Sequence, residues 1–210
     1  MLMQTQTQSE LDRLLAAMDV DVHTLAFCKL RRGRRLVAPP VDAIMIHYVL
    51  AGTMHMTVPG HDPIVCSPGC VALIPPSVPL HVAADDGPAS DVLATEHCFI
   101  TRDGVLLCDV ADGGDGDLRY VSGIVLASFL GSFGLFDRLS KPVSQHLGDD
   151  PMVRQAYSIM LAELARPQLG ARALTSALMK ACMVLVLRQA IASEGAPIGS
   201  LQALSDPRFG

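Results

Sequence analysis

The chain has 210 residues, half of them hydrophobic, with no tryptophan and few aromatics, so aliphatic side chains and ten methionines must fill the core of one large domain or two small ones. A formal net charge of −5 leaves no dominant positive surface for phosphate and argues against this segment gripping nucleic acid by itself. A transmembrane helix is excluded too: the uncharged stretch 63–84 is long enough, but prolines at 63, 68, 75, 76 and 79 would remove the backbone hydrogen bonds it needs, and Lys180 and Arg188 interrupt the C-terminal apolar run.

In chain order, MLMQTQTQSE has neither a basic region nor an apolar stretch behind it, so it does not read as a signal peptide. A cytoplasmic protein is expected, with its six cysteines as thiols. Cys66 and Cys70 form a lone C-x3-C, a weak zinc signal. Ser9 precedes Leu11, Leu14, Leu15 and Met18 at helical spacing, which predicts a short amphipathic helix. Lys29-Leu-Arg-Arg-Gly-Arg-Arg35 reads as a solvated hairpin tip around Gly33. From about 24 to 127, short apolar runs alternate with Gly, Pro and Asp clusters. Strands are expected at 24–30, 34–37, 43–51, 53–58, 64–66, 71–75, 80–83, 92–100, 104–110 and 118–127, the texture of a sandwich or barrel.

Within 43–51, Ala43, Met45, His47 and Val49 share one face, and Ile44, Ile46, Tyr48 and Leu50 the other. Both faces are largely apolar, as in a sheet covered on both sides. Gly69 makes a turn, Val71–Ile74 forms a strand, and Pro75-Pro76 stops ladder pairing before His81. The loop Asp109–Asp117 fits no calcium-loop spacing and reads as a turn. From about 133 the texture is helical. One helix is expected over 151–166, and a longer one over 170–193 after Pro167 and Gly170. The longer helix carries two apolar stripes: Leu174, Leu178, Ala181 and Leu185, and Met179, Met183, Val186 and Ala190. Such a helix is buried on two sides, either wholly in its own core or between that core and a partner subunit.

Ile46-His-Tyr-Val-Leu-Ala-Gly52, then Gly69-x5-Pro75 and His81, resembles a cupin, and more narrowly the cupin-like sensor domain of AraC-type transcription regulators. Arg119-Tyr-Val-Ser-Gly123, Leu135-Phe-Asp-Arg-Leu139, Glu163 with Pro167, and Leu201–Gly210 follow in family order. There are departures. The usual Gly-Asp of the turn is Gly69-Cys70, the second glycine is Ser77, and His81 falls one residue late, with Leu80 in its place. A one-residue slip turns a side chain to the other face unless a bulge corrects it. The metal-binding H-x-H pattern with a following Glu is missing before Gly52.

The resemblance implies a mainly β fold with C-terminal helices: a small cupin-like β-barrel (double-stranded β-helix) followed by a helical hairpin. Residues 1–130 are expected to form the effector-binding barrel with its N-terminal helix. Residues 131–210 are expected to form a helical dimerisation segment and the start of a linker. The paired helix-turn-helix that follows in that family is absent before Gly210, so DNA would be met only through a C-terminal domain outside this chain.

The expected function is sensing a small organic effector, without catalysis or cofactor, in a homodimer joined through the 151–193 helices. Met45, His47, Tyr48, Val49, Leu73 and His81 are the candidate ligand-binding residues. A metal-dependent cupin enzyme, an oxygenase or isomerase, is the alternative, with His47, His81 and a cysteine as its conceivable ligands. A third reading is a dimerisation remnant with a filled barrel. No G-x-S-x-G, Walker loop, G-x-G-x-x-G or spaced Cys-His pair provides for nucleophilic or nucleotide chemistry.

Overall fold

The structure, a computed structural model, describes residues 18–100, 106–129, 139, 141–166 and 168–192. Its strands are β1 (Met18–Leu30), β2 (Arg34–Ala38), β3 (Ile44–Ala51), β4 (Met54–Thr57), β5 (Ile64–Cys66), β6 (Cys70–Ile74), β7 (Leu80–Ala83), β8 (Ser90–Leu93), β9 (Cys98–Ile100), β10 (Leu106–Val110), β11 (Leu118–Phe129) and β12 (Val143–His146). The helices are α1 (Ala94–His97), α2 (Pro151–Ala165) and α3 (Ala171–Ala192). A seven-stranded sheet in the order β12-β6-β3-β11-β1-β10-β9 faces a five-stranded sheet in the order β5-β4-β7-β2-β8. Most neighbours are antiparallel; β1–β10 and β2–β8 are parallel.

Two apolar cores flank the seven-stranded sheet. One lies between the sheets and draws side chains from both, including Leu36, Val49, Met54, Ile74, Leu80, Val92 and Leu118. The other lies behind the larger sheet, where Val71, Leu73 and Val121 meet α2 and α3. Strand β6 is buried at all five residues, because one core takes its even positions and the other its odd ones. The helices form a C-terminal hairpin. The carboxylate of Asp150 accepts the Met152 N–H at 2.8 Å and Pro151 occupies the first turn, which starts α2 cleanly.

Gly123 on β11 lets α3 approach the sheet. A Cβ there would lie 2.9 Å from Ile46 Cγ2 and 3.6 Å from Met179 Cε. Gly69 has φ +85° and no space for a side chain, since a Cβ would lie 2.5 Å from Gly148 Cα. Ser77, which stands where the resembled pattern has glycine, adopts φ +60°, the left-handed conformation that glycine takes without cost.

The basic run is not the hairpin tip expected: it turns the chain from β1 in the larger sheet to β2 in the smaller, which do not pair, and aspartates pair with its side chains. Lys29 pairs with Asp109 at 3.0 Å, Arg31 with Asp112 at 2.7 Å and Arg35 with Asp91 at 2.6 Å.

Two further expectations change, and a third falls largely outside the described residues. The strand expected at 92–100 is broken by the single turn α1, because β8 belongs to the smaller sheet and β9 to the larger, and the chain must cross between them. The segment after 133 is not purely helical: Val143-Ser-Gln-His146 adds an edge strand beside β6, and its alternation is too short and polar to read as one. The helix expected from Ser9 lies outside the described residues, except Met18, which begins β1.

Candidate functional site

Strand β3 is the centre of the site because its two faces enter different cores. Met45 and Val49 point between the sheets, while Ile44, Ile46 and Tyr48 point at the helices. His47 shares the inner face. It is 2 % exposed and is the sole buried side chain among the described residues outside the apolar, tyrosine and cysteine set. Its ring meets Tyr120 of β11 edge-on, with centroids 5.6 Å apart. Neither Nδ1 nor Nε2 has a hydrogen-bond partner. Burial without compensation disfavours the imidazolium and pushes the His47 pKa down to about 4. At pH 7 the ring is neutral, with one N–H to donate and one nitrogen to accept. Leaving such a group unpaired costs about 1–3 kcal/mol, so a polar partner arriving there would recover free energy.

Beside His47 runs a row of polarisable side chains. Tyr120 lies opposite Cys28 on β1, Cys28 opposite Cys108 on β10, and Cys108 opposite Cys98 on β9. Burial and the neighbouring thiols, one of them hydrogen-bonded to it, hold the Tyr120 pKa well above the ordinary phenol value. The surrounding walls are aliphatic or thioether: Met54, Met56, Leu80 and Leu118, each at most 1 % exposed.

Of the six residues expected at the site, the fold gathers three, Met45, His47 and Val49. Tyr48 stacks on Tyr157 of α2, with ring centroids 4.0 Å apart and planes 9° from parallel. Leu73 belongs to the same helix-facing core. His81 is half-buried on the outer face of the smaller sheet, between Val37 and Thr57. Register through β7 is continuous, so no bulge corrects the slip, and Leu80 and Val82 take the inner positions. His47 and His81 thus face different surroundings. Among the described residues no three His, Cys, Asp or Glu side chains are gathered to hold a metal ion, so the donor set does not fit a metal centre.

Sequence reasoning missed Tyr120 and Cys28, whose alternation was legible but whose strand partners were not. A surface cleft of about 430 Å³ lies where the end of β12 and the start of α2 meet α3, lined by His146, Leu147, Asp150, Leu185 and Arg188 among others. None of the six expected residues lines it. No described helix is long and apolar enough to cross a membrane.

No curated protein matches the chain. Among solved structures it is similar to an apo lysine-to-alanine variant of ToxT from Vibrio cholerae strain SCE256, with a TM-score of 0.46 and 7 % identity over 82 % of this chain and 56 % of that one. It is also similar to unsaturated fatty acid-bound wild-type ToxT from the same strain (0.41, 7 %, 82 % and 55 %). DMSP lyase DddQ from Ruegeria pomeroyi DSS-3 is a further likeness (0.28, 15 %, 57 % and 40 %). The chain spans about half the length of the ToxT structures it matches. A family model described as Cupin matches residues 10–192, and with it the two facing sheets and the inward β3 residues have their place: the chain belongs to the cupin family.

Proposed function

We propose that this chain is the effector-binding and dimerisation part of an AraC-type transcription regulator, not an enzyme. A small organic molecule, apolar except for one hydrogen-bonding group, enters between the sheets and is anchored by His47. The observation that carries this reading is the neutral imidazole with both nitrogens unpaired in an otherwise apolar interior. Few polar anchors among apolar walls are what a modest organic ligand requires.

The route outward is short. Tyr48, next to His47 in sequence, emerges on the back of β3 and stacks on Tyr157 of α2. Effector occupancy is thereby felt by the helix layer. A coupling of about 1–3 kcal/mol is enough for regulation. The helices join two copies, and DNA contact belongs to a domain outside this chain.

The test is a thermal-shift screen of small organic molecules against the wild type, Met45→Trp and His47→Leu. Saturable stabilisation of the wild type, lost in both variants, supports the site. Equal stabilisation of all three places the ligand elsewhere. One observation favours the filled-barrel reading, namely that Val49, Met54 and Leu118 are 0 % exposed. Stable dimers that take up no ligand in the same screen would establish it.

A further inference from the structure

The turn between β5 and β6 joins the smaller sheet to the larger, and a cysteine stands at each end of it. Cys66 closes β5 and Cys70 opens β6, and their sulfurs lie 3.0 Å apart in hydrogen-bond contact. The turn is fixed in place. The Cys70 N–H donates to the Ser67 carbonyl at 3.0 Å, the Gly69 N–H to Val49 at 2.8 Å, and the Leu147 N–H to the Gly69 carbonyl at 3.0 Å. Such anchoring fixes the backbone of the turn that carries the two thiols. Cys66 and Cys70 are 1 % and 6 % exposed, and Val65, Ser67 and Pro68 beside them in the chain are exposed.

We propose that Cys66 and Cys70 are a reversible dithiol–disulfide site, oxidised by hydrogen peroxide, that staples the two sheets together. Cys70 is the nucleophile. Its thiolate is favoured by the Cys66 S–H beside it and by a backbone hydrogen bond at Gln145, which together lower its pKa, whereas the same contact and burial raise that of Cys66. The Cys70 sulfur attacks one peroxide oxygen and the O–O bond breaks. The departing hydroxide takes a proton and leaves as water, and a sulfenic acid remains on Cys70. The Cys66 sulfur then attacks the Cys70 sulfur, the S–O bond breaks, and the hydroxide released takes the Cys66 proton as a second water. Two thiols lose two electrons and two protons to one peroxide. A dithiol reductant reverses the result by exchange.

The other interior cysteines provide the comparison within the same molecule. Cys28 and Cys108 stand inside the sheet, and Cys182, on α3, is buried in the core between the helices and the larger sheet. The experiment exposes the folded chain to one equivalent of hydrogen peroxide, alkylates the remaining thiols and maps the peptides. The expected product is a Cys66–Cys70 disulfide that dithiothreitol removes, with Cys28, Cys108 and Cys182 still alkylated after unfolding. In Cys66→Ser, Cys70 is expected to stop at a sulfenic acid that dimedone traps. In Cys70→Ser, Cys66 is expected to remain a thiol. Retention of both thiols in the wild type, or earlier pairing of Cys98 with Cys108, overturns the proposal. The wild-type map decides by itself should either variant fail to fold.

Discussion

His47 sets the pH response at the scale of a single residue. The native state keeps its ring neutral down to about pH 4, while the unfolded ring takes up a proton from about pH 6.5 downward. Between those values the unfolded state binds more protons, so stability falls as pH drops through that window and levels off below it. The shift corresponds to a loss on the order of 3 kcal/mol. Urea denaturation at successive pH values should show that slope in the wild type and a flatter curve in His47→Leu. At pH 7 the variant should be more stable by about 1 kcal/mol, because no polar group is left unpaired. Tyr157 presents the same situation on the helix side. Its hydroxyl is buried and unpaired while its ring stacks on Tyr48. Tyr157→Phe should therefore leave stability unchanged or raise it by about 1 kcal/mol in equilibrium unfolding.

Between elements, α3 comes close to β11 at Gly123. The inward stripe of α3, Met179, Met183 and Val186, is fully buried, and Met179 sits over Gly123. Gly123→Val would insert its branches between Ile46 and Met179, and overpacking of this kind costs about 1–3 kcal/mol. The expected outcome is a lowered Tm with α3 the first segment to lose amide protection in hydrogen exchange. Uniform loss across both sheets would show that the helix layer and the sheets unfold as one unit. The same pair of elements shows how much was legible beforehand. The two stripes of α3 could be read from spacing, but which one faced the sheet could not, because both are apolar. The missing side chain at Gly123 decides it.

Over the whole molecule, the proposed dimer can be tested on the apolar surface of α3. On α3 the outward stripe is half-buried at Leu178, Ala181 and Leu185, and Leu174 is 41 % exposed. If this stripe joins two copies, Leu174→Glu combined with Ala181→Glu should convert dimers to monomers in sedimentation velocity and leave the circular dichroism spectrum unchanged. Dimers that persist would move the interface off α3.

Local pattern by itself determined most of the strands, the hairpin of helices, the turn at Gly69 and the alternation that separates Met45, His47 and Val49 from Tyr48. Each of these rests on steric and periodic rules acting over a few neighbouring residues. Only the tertiary structure decided that Leu73 and His81 face away from the space between the sheets, that 92–100 crosses between sheets, and that Tyr120 lies against His47. A strand buried on both faces has no polar side to mark its orientation, and register is set by partners distant in the chain.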